Sequence, residues 1–385
     1  MPEGNQMSRT VTLSAALCTL SILGADVAAQ SYTFVPVSPP PGISGIDTMK
    51  LNAHADIVGM VSGPMASYTW IDGIAALFGV SQAILRDIND GGTVTGYRQQ
   101  GSYQYAFRYN LNTGAISNLH TTTNCNYGRS VDPKAIANTG KIVGTRVASD
   151  CKLEAFQTSS LGVHGLGFLD SGRPDRTSEA TAISDNGIWI AGNSRDTTGV
   201  IRAFLHSNGV MAGLRYGGLA RAVNDSGIVV GHETNGYSPV RWDGLRNRQA
   251  LALPSGMTQG VALAINNSGV IAGDTSAGTY YRATAWSAAY QPHYVQDTTN
   301  ATHAGWVPRW VTDINAAGYI TVTASPANDP WGIRRQFLAI PDGPNPVTCM
   351  VDTTCLFHIN PDACGLLGGS VAQVCSLPGD PGVVE

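Results

Sequence analysis

Along most of this chain apolar and polar residues alternate in short runs, and each run breaks at a Gly- or Asn-rich stretch. A period of two, with β-branched and aromatic residues on the apolar positions, predicts half-buried strands. One pattern recurs seven times: an aliphatic residue, usually Asn, two small or polar residues, Gly, then an apolar pair closing on another Gly. The copies are Leu51–Gly59, Ile88–Gly96, Ile136–Gly144, Ile183–Gly192, Val223–Gly231, Ile265–Gly273 and Ile314–Val322. Their central position falls at 55 (an Ala), 92, 140, 187, 227, 269 and 318, a period of about 44 residues. Asn-x-x-Gly predicts a tight turn between a strand A and a strand B. About ten to fifteen residues later an aromatic run follows in each copy (Tyr68–Trp70, Tyr105–Tyr109, Glu154–Phe156, Arg202–Leu205, Pro239–Trp242, Ala283–Trp286, Gln336–Leu338), which predicts strand C. A weaker run predicts strand D at Ala75–Phe78, Ile116–Leu119, Val210–Leu214 and Ala250–Leu253.

Four-stranded units of this length, repeated seven times, predict an all-β chain folded as a seven-bladed β-propeller. A linear solenoid would need polar capping repeats at its ends. Instead, Tyr32–Val37 is a strand without partners of its own, and the seventh repeat stops at its strand C, within 336–340. The N-terminal strand is therefore expected to supply the missing outer strand of blade seven, closing the ring and removing its exposed edges. The motif Ile-Asn-x-x-Gly-x-Ile-Val-Gly followed by Ala-Phe-x-Trp resembles the HAF family of bacterial extracellular repeat proteins, over residues 31–341. The shared residues are structural ones, so the resemblance implies a repeat architecture and no activity. Ala55, Ala137, Ser184 and Val322 depart from the motif.

Composition adds three constraints. Charged residues make up 13% of the chain, Gly numbers 45, and the net charge is −4, so no basic field is present for nucleic acid. Residues 1–29 read as a signal peptide: Arg9, an apolar run from Val11 to Leu23 too short to span a bilayer, and Val27-Ala28-Ala29 before Gln30. Export leaves six cysteines, Cys125, Cys151, Cys349, Cys355, Cys364 and Cys375, the last four in a tail covering 342–385. Disulfides suit an exported chain better than a zinc site, which would be expected to show a CxxC pair. The layout is thus a signal peptide (1–29), a propeller (30–341) and a Cys-rich tail (342–385), secreted or periplasmic, monomeric, with no transmembrane segment in the mature chain.

Propeller geometry sorts the connections onto two faces. A–B and C–D turns are short; B–C and D–A loops, on the other face, are long and varied, and function collects on such loops. That face is expected to join Cys125 to Cys151. It carries Arg98, Arg146, Arg195 and Arg221, whose guanidinium forks suit acidic ligands. It also carries an aromatic group, His303, Trp306, Trp310 and Trp331, with Tyr280, Tyr281 and Arg334 nearby, which suits sugar rings. No catalytic signature occurs, and His232 is the one candidate base. The repeated Asn residues read as turn caps rather than calcium ligands, because each turn offers too few oxygens. The leading expectation is recognition of an extracellular glycan, polymer or small acidic ligand on the long-loop face. The alternative is an enzyme at that place, either a calcium-assisted hydrolase such as a lactonase or a polysaccharide lyase.

Overall fold

Each Asn-x-x-Gly turn reverses the chain between two antiparallel strands, and seven four-stranded sheets result. The computed structural model describes residues 30–371, except 64, 102, 120–124, 126–130, 298–302, 304, 344–346, 352–353, 360 and 368. The signal segment 1–29 and Cys375 lie outside the described residues, as do the side chains of Cys349 and Cys355. The innermost A strands are Ile46–Leu51, Ala83–Ile88, Val131–Ile136, Ser178–Ile183, Leu219–Val223, Gln259–Ile265 and Trp306–Ile314. Each strand B packs on the next blade's strand A, and the first and seventh A strands meet, so the blades form a ring. Blade seven is completed by the N-terminal strand Tyr32–Val37, which pairs with Arg335–Pro341 from Tyr32↔Pro341 to Val37↔Gln336.

Strand D was harder to place from sequence. In blade five it is Asn247–Ala250, pairing Trp242 with Arg248, not the apolar stretch 250–253. The outer strand faces solvent and carries polar residues there, so alternation points past it; Leu251 instead buries beneath the sheet. The cores lie between blades, where Phe107, Phe156, Phe204, Phe337, Trp242 and Trp286 of the C strands are fully buried. Each contributes about 1.5–3 kcal/mol of apolar burial. The two indoles are also satisfied: Trp242 Nε1 donates to Arg215 O at 3.1 Å and Trp286 Nε1 to Ala252 O at 2.7 Å.

The repeated Asn has two tasks. Its Oδ1 accepts from its own turn, as from Ser226 N and Ile228 N at Asn224. Its Nδ2 donates to the corresponding carbonyl of the next blade: Asn52 to Asn89 O, Asn89 to Ala137 O, Asn224 to Asn266 O, Asn266 to Asn315 O and Asn315 to Asn52 O. The last bond crosses the seam between blades seven and one. Where the motif departs, other groups bridge. At Ala137, Asn138 N donates to Asp185 O and Lys141 Nζ to Gly187 O. At Ser184, Asn186 N donates to Asp225 Oδ1.

The closing Gly of the motif answers a bulge in strand A. The register shifts at Arg86, Lys134, Thr181, Arg221 and Leu263 push a carbonyl toward strand B. A Cβ at Gly96, Gly144, Gly192, Gly231 or Gly273 would lie 1.9–2.1 Å from that carbonyl oxygen. In blade seven, Val322 stands at this position opposite a strand A with a second register shift, between Pro308 and Trp310.

The tail forms a small sheet of Val347–Val351, Thr354–Ile359 and Ser370–Val371, with a helix at Pro361–Leu366. Cys364 is disulfide-bonded and buried among Val37, Tyr319, Leu338 and Ile340. No helix among the described residues is long and apolar enough to cross a membrane.

Candidate functional site

The long-loop face is pinned by the expected bridge: Cys125, ahead of blade three, is disulfide-bonded to Cys151 in that blade's B–C loop, with Cα atoms 5.5 Å apart. The arginines expected beside it are engaged locally. Arg146 ion-pairs with the buried Glu154 at 2.6 Å, Arg98 donates to Asn118 Oδ1 at 3.2 Å, and Arg195 donates to Gly199 O at 2.8 Å. Arg221 is the bulge residue of its strand and faces the central channel. Other arginines of blades three to five have carboxylate partners: Arg173–Asp175, Arg176–Asp150, Arg202–Asp196, Arg241–Asp243 and Arg248–Glu233. With Arg146, six arginines of blades three to five are thus spent on carboxylate pairs. His232 is buried and stacked on Tyr237, its ring centroid 5.5 Å away. Desolvation, with the Arg221 charge, pushes its pKa down to about 4, so it stays neutral near pH 7 and is shut away from a substrate.

The aromatic residues behave differently. Tyr281, Trp310 and Trp331 meet pairwise with ring centroids 6.0 Å apart. Trp331 is 57% exposed and offers its surface to solvent. His303 and Trp306 sit apart from this trio, both edge-on to Phe337, with His303 Nδ1 3.3 Å from Asp297. On blades six and seven four guanidiniums lie on aromatic faces: Arg334 over Trp310 at 4.7 Å, Arg335 over Trp306 at 4.5 Å, Arg282 over Tyr294 at 4.2 Å and Arg309 over Tyr280 at 5.1 Å. Among the described residues none of the four has a carboxylate within ion-pair distance. Arg309 is fully buried, bonded to Ser325 Oγ and to the carbonyl of Tyr281, and desolvation lowers its pKa. Arg282 donates to the Tyr280 hydroxyl at 3.2 Å. That hydrogen bond, with the positive charges of Arg282 and Arg309, holds the Tyr280 phenol below its ordinary pKa against desolvation.

Sequence reasoning found Trp310, Trp331, Tyr280, Tyr281 and Arg334 but missed Arg282, Arg309 and Arg335. The signal was present as Tyr280-Tyr281-Arg282, Arg309-Trp310 and Arg334-Arg335: arginines directly beside aromatic residues or doubled.

The central channel is a cavity of about 530 Å³ lined by the A strands. At its A–B mouth Asp90, Asp185 and Asp225 converge, but Asn138 donates to Asp90 and Asn267 to Asp185 and Asp225. Desolvation and the Asp225 and Asp90 charges push Asp185 up to about 6. Among the described residues no three His, Cys, Asp or Glu side chains are arranged to hold a metal.

No family model and no curated protein sequence matches this chain. Solved structures do resemble it. The β-propeller domain of the Trilobed protease from Pyrococcus furiosus, described as an open velcro topology, aligns with a TM-score of 0.53 at 10% identity, over 78% of this chain and 95% of that one. Virginiamycin B lyase from Staphylococcus aureus aligns with a TM-score of 0.49 at 10% identity, over 80% and 99%. The first shows the fold. In the present chain the seam is closed by the N-terminal strand.

Proposed function

We propose that this protein is an exported β-propeller, akin to the HAF repeat proteins, that recognises an acidic glycan or polymer on the long-loop face of blades six and seven. One observation carries the reading: among the described residues, four guanidiniums of blades six and seven lie on aromatic faces without a carboxylate partner, beside the cluster of Tyr281, Trp310 and the exposed Trp331. In blades three to five, by contrast, six arginines have carboxylate partners. Here positive charge is held over aromatic faces, where a carboxylate or sulfate would complete it. Flat rings beside it give a sugar large contact area at low entropic cost. The patch is open, as a polymer running across it requires, and the disulfide Cys125–Cys151 belongs to an oxidising compartment.

The test is affinity electrophoresis of the purified propeller through gels containing polygalacturonate, alginate or a neutral glucan. The expected outcome is retardation in the acidic gels alone, lost in Trp331→Ala and weakened at least tenfold in Arg334→Ala. Equal mobility in all gels would overturn the reading.

A further inference from the structure

We infer that the blade six–seven patch also performs chemistry, with Tyr280 as the base of a β-elimination that cleaves 4-linked polyuronates. This rests on the acidic-polymer reading above and adds an activity to it.

The argument starts from what such a reaction needs. The proton on the carbon next to a uronate carboxylate is very weakly acidic, because its removal builds a second negative charge beside the first. A guanidinium on the carboxylate offsets that charge, and a basic oxygen must stand near the carbon. Arg334, on the Trp310 ring that packs against Tyr281, is exposed and has no carboxylate partner among the described residues, so it can receive the substrate's carboxylate. Tyr280 supplies the oxygen. It is 42% exposed and its hydroxyl accepts a hydrogen bond from Arg282 Nη1 at 3.2 Å. The groups facing it from packed elements are all cationic or neutral: Arg282 on its own strand, the buried Arg309 of the next blade's strand A, and Tyr294 of strand D, on whose ring Arg282 rests. A phenol ringed this way gives up its proton to solvent more readily than a free tyrosine, and the phenolate is the form that acts. No other described histidine or tyrosine on this face combines exposure with two neighbouring guanidiniums; His303 is tied to Asp297 and His232 is buried.

In the step, the phenolate oxygen takes the proton from C5 of the uronate. The C5–H electron pair becomes the C4=C5 double bond, and the C4–O bond breaks with its electrons passing to the departing sugar oxygen. That oxygen takes the proton back from the new phenol, or from water. Atoms and charge balance, and no oxidant, reductant or metal takes part. The product is an unsaturated uronate conjugated with its carboxylate, plus a shortened chain.

The conjugated product absorbs in the ultraviolet, which gives a direct readout. The full chain would be incubated with polygalacturonate, alginate, hyaluronan and chondroitin, and absorbance followed beside gel retardation on the same polymers. The expected result is rising absorbance on at least one bound polymer, reduced at least a hundredfold in Tyr280→Phe with retardation unchanged. The rate should climb with pH along a limb below that of free tyrosine, and Arg282→Ala should move the limb upward. Retardation without absorbance change would overturn the elimination and leave the binding reading standing. Absorbance that Tyr280→Phe leaves intact would overturn the assignment of the base. Loss of both retardation and absorbance in the wild-type chain would overturn both readings.

Discussion

Single residues in this propeller are constrained by how closely the blades approach, and two of them make the constraint measurable. Gly231 carries no unusual torsion; it is glycine because Leu219 O occupies the space a side chain would take, 1.9 Å from an added Cβ. Gly231→Ala is expected to cost about 3 kcal/mol or more, since the bulged strand would have to move; urea denaturation measures it. Asp274 is the second case. Half-buried and accepting Val311 N at 2.7 Å, it is pushed up to about 8 by desolvation. An unfolded Asp titrates near ~3.9. Between these values the folded chain holds a proton that the unfolded chain has released. Stability therefore falls as pH rises from about 4 to 8, at up to ~1.4 kcal/mol per pH unit, and is flat beyond. Asp87, pushed up to about 7 chiefly by burial, acts in the same direction. Asp274→Asn keeps an acceptor for Val311 N and removes the titration. Its urea midpoint should match the wild type near pH 4 and exceed it at pH 8; a constant difference at both would remove Asp274 as the cause.

At the scale of elements, the A–B turn both caps itself and binds its neighbour. Asn224→Ala removes two bonds within the turn and one to Asn266 O, an expected loss of about 2–3 kcal/mol in denaturation. Asn224→Ser should recover part of that. Ser184 shows why: its Oγ accepts Trp189 N and caps the turn without reaching the next blade. If Ser and Ala lose equally, the turn bonds contribute nothing measurable. The turns, the A, B and C strands and the strand count were legible because period-two alternation and Asn-x-x-Gly are local signals. The inter-blade half of the Asn role was not, because its acceptor lies 37 to 49 residues away, and 263 at the seam. The outer D strands were only partly legible, since solvent contact weakens their apolar pattern; Pro292–Tyr294 carries none. For the site, type of residue was legible and pairing was not. Arg146 and Arg334 look alike in sequence, yet one ion-pairs with Glu154 and the other lies unpaired on Trp310.

Across the whole molecule the two faces divide the work. The patch on blades six and seven lies on the long-loop face, while the tail docks on the other, where the ring begins and ends. Tyr319, in the A–B turn of blade seven, donates to Asp362 of the tail helix, and Leu366 O comes near Gly73 in the C–D turn of blade one. Asp342 holds the entering chain through Thr33 Oγ1 at 2.7 Å and Ser31 O at 2.9 Å. A ring closed by one non-covalent strand opens where that strand frays, so covering the seam raises the cost of opening. Removal of residues 344–385 is expected to lower the melting temperature by several degrees and to speed amide exchange in Tyr32–Val37, its partner Arg335–Pro341 and Ile46–Leu51. Exchange in blades three to five should hold its wild-type rate, and retardation by acidic polymers should persist, because neither depends on the tail. Uniformly faster exchange around the ring would mean the tail stabilises the propeller in general; unchanged exchange at the first strand would show that its six register pairs hold the seam unaided.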